Sequence, residues 1–181
     1  MKELSLNILD IIENSINAKA KNIHIIINED DTLDLLELVV KDDGIGMDED
    51  FLKDVFDPFT TTSTKKKVGL GLPLLKEEAE LCGGGVKIKS EKGVGTEVHV
   101  TFKKSSIDTP PIGDLASTII CVYATHPEID LYYDHSVNGK TFEISTKLIR
   151  EVCGNDYCNP VILKGIKEFF QNSIKTLYGG E

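Results

Sequence analysis

Asp10 and Asn14 stand four residues apart in a stretch of helical periodicity, with Glu13 and Asn17 at neighbouring three- and four-residue spacings. That spacing gathers carboxylates and amides on one side of a helix. The amide oxygen of Asn14 suits magnesium, a hard cation that takes oxygen ligands and keeps part of its water. A carboxylate at Asp10, one turn earlier, can orient or deprotonate a water. Further on, Asp42 ends an aliphatic run and meets Asp43-Gly44-Ile45-Gly46. A carboxylate fixed there can accept a hydrogen bond from the 6-amine of adenine, where guanine carries a carbonyl. Gly44 and Gly46 let backbone approach a ligand closely. Gly69-Leu70-Gly71-Leu72 then leads into a helix expected to open near Pro73, and its free N–H groups and dipole suit phosphate. A cation holder, a base reader and a phosphate cradle are the parts a purine triphosphate requires.

These residues need a scaffold. Leu4, Ile8, Ile11, Ile12 and Ile16 give the apolar stripe of a helix over 3–20. The runs 22–28 and 35–41 are rich in Ile, Leu and Val and read as strands, with acidic residues 29–34 as the loop between them. A short helix over 48–55 is capped by Asp48. Residues 57–71 read as a loop, followed by a helix over 73–82 that stops at Gly83-Gly84-Gly85. Strands 86–91 and 96–103 flank a Gly93-Val94-Gly95 turn. The order implies an α/β (α+β) layered sandwich, a mixed sheet with helices on one face. A polar connection over 104–113 carries Pro110 and Pro111. Beyond it we expect a helix over 114–125, a hairpin over 129–146 turning at Asn138-Gly139, and helices over 146–153 and 160–177. The expected division is residues 1–106 for the first unit and 112–181 for a small α+β appendage.

Other chemistries fit less well. Gly139-Lys140-Thr141 has the end of a P-loop, but Asp134 stands where the first glycine belongs. The net charge is −10, and both parts of the chain are acidic, with 14 Lys against 21 Asp and Glu over 1–108. Direct nucleic-acid binding is therefore not expected. No apolar run is long enough for a membrane span and the start lacks the layout of a secretion signal, so a cytoplasmic home is expected. Cys82 falls in an apolar helical pattern. Cys153 and Cys158 are five apart, with no second close pair to complete a zinc motif and no disulfide expected. His24 and His99 fall in strand patterns, and His126 and His135 carry no assigned role.

The motifs together resemble the gyrase B, MutL and histidine-kinase ATPase superfamily. Asp10-x-x-x-Asn14 resembles its N box, Asp42-Asp43-Gly44-Ile45-Gly46 its first glycine box, and Phe56-Asp57-Pro58-Phe59 the F box of histidine kinases. Gly69-Leu70-Gly71-Leu72 resembles the second glycine box and Gly95-Thr96 the final glycine-threonine motif. All five occur in family order over about 1–104. The resemblance implies a Bergerat-type fold that binds ATP with Mg2+. By it, Asn14 holds the metal, Asp42 reads adenine, and Thr96 helps fix Asp42 and a bridging water. Met47, Phe59, Gly44, Gly46, Gly69, Leu70, Gly71 and Leu72 line the nucleotide. Residues 60–68 form a lid whose cations are Lys65, Lys66 and Lys67, since Arg150 is the first arginine. Asp10 stands where gyrase and MutL proteins carry a catalytic glutamate, and Glu13 is the alternative base. With the chain starting about one turn before the first motif helix, phosphorylation of a histidine helix in cis is not expected. The resulting expectation is slow ATP hydrolysis as a conformational switch. A protein kinase acting in trans on a separate partner, or an ATP sensor without turnover, are the alternatives.

Overall fold

The computed structural model describes residues 3–57, 59, 71–156 and 158–180. Helix α1 (Leu4–Asn17) is followed by strands β1 (Asn22–Asp30) and β2 (Leu35–Asp42), then by a short helix α2 (Glu49–Lys53). Helix α3 (Gly71–Leu81) leads to β3 (Gly85–Glu91) and β4 (Gly95–Lys103). Helix α4 (Leu115–Thr125), strands β5 (Asp130–Val137) and β6 (Lys140–Ser145), and helices α5 (Thr146–Cys153) and α6 (Pro160–Leu177) complete the order. The strands form one six-stranded mixed sheet ordered β3-β4-β2-β1-β5-β6. All pairings are antiparallel except β1 with β5, which is parallel.

Strict alternation decides which face of the sheet is covered. Ile23, Ile25 and Ile27 of β1 point inward, as do Leu36, Leu38 and Val40 of β2 and Val98, Val100 and Phe102 of β4. Leu131 and Tyr133 continue the row on β5. Against them pack Leu4, Ile8, Ile11 and Ile12 of α1, Leu75 and Ala79 of α3, Leu115, Ile119 and Val122 of α4, and Phe170 of α6. Residues from before and after the 104–113 connection therefore share one hydrophobic core. On the other face His24 stacks on Tyr132 with ring centroids 4.4 Å apart, and His99 bonds Glu37 at 2.7 Å. Both histidines thus serve the sheet. The Asn138-Gly139 turn has φ of 50° and 84°, the paired left-handed conformation of a type I′ hairpin, which accounts for Gly139-Lys140-Thr141.

Two contacts tie the C-terminal segment to the first helix and the first strand. Glu3 gives α1 no side-chain cap. Instead the carbonyls of Pro111 and Ile112 accept the N–H groups of Leu4 and Ser5 at 2.8 and 2.9 Å, satisfying two of the free donors of the first turn. At the far end of β1, Glu29 is buried, although residue 29 falls in the stretch read from sequence as a loop. Its carboxylate meets His135 Nε2 at 3.0 Å, Lys104 Nζ at 3.0 Å and the Tyr178 hydroxyl. His135 Nδ1 in turn lies 2.9 Å from the Tyr133 hydroxyl. Nε2–H donating to Glu29 leaves Nδ1 free to accept from Tyr133, so a neutral imidazole satisfies both partners.

Burial alone works to raise the Glu29 carboxyl, but hydrogen bonds from His135, Tyr178 and Lys104 outweigh it and hold the group below its ordinary value of 4.5. A carboxyl depressed on folding contributes stability that is complete above its unfolded value and is lost as pH falls through the folded one. Acid denaturation should therefore steepen below about pH 4.5. Glu29→Gln should flatten that dependence in part, because Asp31, Asp34 and Asp43 are also held low and keep their share. Urea midpoints between pH 3 and 7 measure this; identical slopes in the two proteins would remove Glu29 from the account.

Candidate functional site

Asn7, Asp10, Ile11 and Asn14 occupy one face of α1, and with Gly71, Leu72 and Leu75 of α3 they line a cleft. Ile11 and Leu75 are buried and fix the two helices against each other, while Asp10 and Asn14 remain exposed. Helix α3 opens at Gly71, two residues before Pro73. Pro73 is thus the third residue of the helix and has no N–H, so the free donors of the first turn are those of Gly71 and Leu72. Asp10 faces this turn, since a methyl group placed on Gly71 would meet Asp10 Cβ and Oδ2 at 3.8 Å. Glu13 is exposed and lies outside the residues that line the cleft.

The carboxylate of Asp42 is held from two sides. Gly44 N–H donates to Oδ1 at 2.9 Å, and the buried Ser15 hydroxyl donates to Oδ2 at 2.7 Å. Ser15 follows Asn14 directly, so one turn of α1 carries both the expected metal ligand and the group that aims the expected base reader. Ser15 escaped the sequence reading, because a serine inside a helix carries no signal of what lies 27 residues away. Asp43 serves the scaffold. It accepts from the backbone of Lys21 and Asn22 and from the Asn22 amide, which outweigh burial and hold its carboxyl low.

The first glycine box is clasped between α1 and the β3–β4 turn. Ile45 N–H donates to Ala18 O at 2.8 Å and Gly93 N–H to Ile45 O at 2.7 Å. Gly46 has φ of 64°, and a Cβ there would fall 2.0 Å from Glu91 O. Gly95 has φ of 141°, and its Cβ would fall 2.0 Å from the backbone oxygen of Asp42 itself. Any side chain at Gly95 would displace the strand end that presents Asp42. Met47 N–H donates to Ser90 Oγ at 2.8 Å. Thr96 pairs with Asp42 across β4 and β2, but its hydroxyl bonds Ser90 at 2.8 Å. Ser90 links Met47, Gly95 and Thr96 and was likewise invisible in the sequence.

Phe56 lies under Lys76 Nζ, 4.6 Å from its ring centroid, which fastens the F-box segment to α3. Phe59 is 82% exposed. Pro58, Lys65, Lys67, Gly69, Leu70 and the expected lid over 60–68 lie outside the described residues. Among the described residues no three His, Cys, Asp or Glu side chains are grouped to hold a metal, and Cys82, Cys121, Cys153 and Cys158 are free. No helix among them is long and apolar enough to cross a membrane.

The family of histidine kinase-, DNA gyrase B-, and HSP90-like ATPases matches residues 2–106, which is more than half of the chain. The chain belongs to this family. Membership in the histidine kinase-like ATPases supports ATP binding. Two *Bacillus subtilis* proteins are similar at 35% identity. Sensor histidine kinase YvrG matches over 49% of this chain and 16% of its own length, and sporulation kinase C over 54% and 23%. The CAI-1 autoinducer sensor kinase/phosphatase CqsS of *Vibrio cholerae* matches at 26% identity over 59% of this chain and 16% of its own. The match thus spans less than a quarter of each of these relatives. The N-terminal domain of a DNA repair protein superposes with a TM-score of 0.60 at 16% identity, covering 87% of this chain and 58% of that one. That likeness shows the fold, and its coverage reaches well beyond residue 106.

Proposed function

We propose that the chain binds ATP with magnesium in this pocket and hydrolyses it slowly as a conformational switch. The observation that carries the reading is the Ser15–Asp42 bond. It joins the base reader to the helix that presents Asn14 and Asp10, so nucleotide and metal are gripped by one rigid unit. The donors fit magnesium: an exposed amide oxygen at Asn14 with a carboxylate one turn away supplies one or two ligands. Phosphate and water supply the rest, as that ion prefers. When bound, the ion would neutralise phosphate charge beside Asp10.

ATP and GTP titrations test the base reader. A hydrogen bond to a charged acceptor contributes about 1.5–3 kcal/mol. Asp42→Asn should therefore weaken ATP roughly ten- to a hundredfold. An amide keeps an oxygen for Gly44 N–H, and its NH2 finds Ser15 Oγ as acceptor, so the fold survives while the ligand loses its partner. Equal affinity of the native chain for ATP and GTP would sink the assignment. Asn14→Ala should abolish the magnesium dependence of ATP affinity, because a methyl group cannot ligate the ion. Calorimetry with and without magnesium reads this out, and an undiminished effect would move the metal to another residue.

A second reading has support in the relatives, several of which are named as kinases. In it the chain passes phosphate to a separate protein partner. Transfer of labelled phosphate to protein in an extract, with no release to water, would favour that reading over the switch. Binding with neither outcome would leave a sensor.

A further inference from the structure

A groove of about 490 Å³ runs outward from the cleft along α3, and it shares Asn7, Asp10 and Gly71 with the cleft. Its long wall is one face of α3, with Leu74, Glu77, Glu78 and Leu81 at spacings of three, four and seven. Leu74 is 45% exposed and Leu81 72% exposed, so both ends of this stripe lack a partner among the described residues. Asp10 and Asn7 of α1 and Asp108 of the connection form the opposite side, and Cys82 closes the floor. Asn7, itself buried, donates its amide to Glu78 Oε2 at 2.9 Å and so fixes the width between α1 and α3.

Two features of the lining define an occupant. Among the described residues the charged side chains of the lining are Asp10, Glu77, Glu78 and Asp108, all acidic. The exposed leucines are seven residues apart, or about 10 Å along the helix. A helix laid against α3 presents apolar residues at the same repeat and can direct lysines or arginines to the carboxylates on both sides. We propose that this groove is the docking site for a basic amphipathic helix of a partner protein. An acidic lining repels nucleic acid and anionic lipid alike. A helix seated there would end beside Asp10 and the first turn of α3. If the pocket handles ATP as proposed above, the partner then meets the nucleotide at its phosphate end.

The test uses the whole chain and a fluorescein-labelled 18-residue peptide of leucine and lysine with leucines on one helical face. Anisotropy is measured without nucleotide. Glu77→Lys with Asp108→Lys should weaken the peptide at least tenfold, and so should Leu81→Asp. Glu143→Lys with Glu151→Lys changes net charge by the same amount on exposed positions of β6 and α5 and should have little effect. A peptide of identical composition with its leucines spread around the helix should bind at least tenfold more weakly. Equal weakening by both charge-reversed pairs, or equal binding of the two peptides, would overturn the groove as general attraction to an acidic protein. ATP affinity of the Glu77→Lys/Asp108→Lys chain should match the native chain. If the native chain binds the peptide through the groove but binds no ATP, the nucleotide reading falls and the groove stands.

Discussion

Asp10→Asn should cut phosphate release by about a hundredfold or more while leaving ATP affinity nearly intact. Proton transfer by a positioned side chain contributes about 10²–10⁴ in rate. A group that acts only in the transition state lowers turnover without changing ground-state binding. Asp10 is exposed, faces the first turn of α3 and shares its helix face with Asn14. Glu13 is not among the residues that line the cleft, so Glu13→Gln should leave turnover within a few-fold of native. An aspartate reaches one methylene less far than the glutamate of gyrase-like relatives, and the native rate should be slow for that reason. Single-turnover phosphate release beside ATP titration separates the two effects. A silent Asp10→Asn with a dead Glu13→Gln would reassign the base. A native chain that releases no phosphate would end the hydrolytic reading.

Glu29→Ala should cost the fold several kcal/mol, at about 1–3 kcal/mol for each buried polar group left without its partner. Total stability of a domain is about 5–15 kcal/mol, so the loss is a large share. Removal leaves the fully buried His135 ring and the Tyr178 hydroxyl without their acceptor, while Lys104 keeps Asp31 at 2.6 Å. Glu29→Gln keeps an acceptor for His135 and Tyr178 but turns an amide toward Lys104, so it should fall between native and alanine. Urea denaturation at pH 7 gives the three values. A loss under 1 kcal/mol for Glu29→Ala would mean that the network adds nothing net. ATP affinity of the folded variant should be unchanged, because the register sets Ile23 opposite Asp42 and places Glu29 six residues further along β1. That separation is about 20 Å.

Glu29 also marks where sequence reading stops. The acidic stretch 29–34 looked like a solvated loop, yet Glu29 is a strand residue turned into the core. Its partners Lys104, His135 and Tyr178 lie 75, 106 and 149 positions away, and no local pattern announces them. The helices and strands were legible because their periods are strong: alternate isoleucines at 23, 25 and 27, and the α1 stripe. The Asn138-Gly139 turn was legible because few other pairs adopt its conformation. Of the candidate site, only what local geometry presents could be nominated from sequence: Asp10 and Asn14 by helical spacing, Asp42 by its place before a glycine turn. Ser15 and Ser90 were not, since each acts by holding something distant in sequence. The sharing of one sheet by both parts of the chain was also hidden. It depends on β1 taking β5 as a parallel neighbour across more than a hundred residues, where only composition and a proline-bearing connection were visible.

That parallel neighbour has a consequence for anyone who would trim the chain to residues 1–106, where the family match ends. Cut there, β1 becomes a bare margin of eight or so unpaired backbone positions, and the first turn of α1 loses the carbonyls of Pro111 and Ile112. The part of the core now closed by Leu115, Ile119 and Val122 would meet water. An open strand margin beside exposed aliphatic side chains is a template on which further copies add. The trimmed piece would be prone to self-association, because the residues beyond 106 supply the strand that covers this margin.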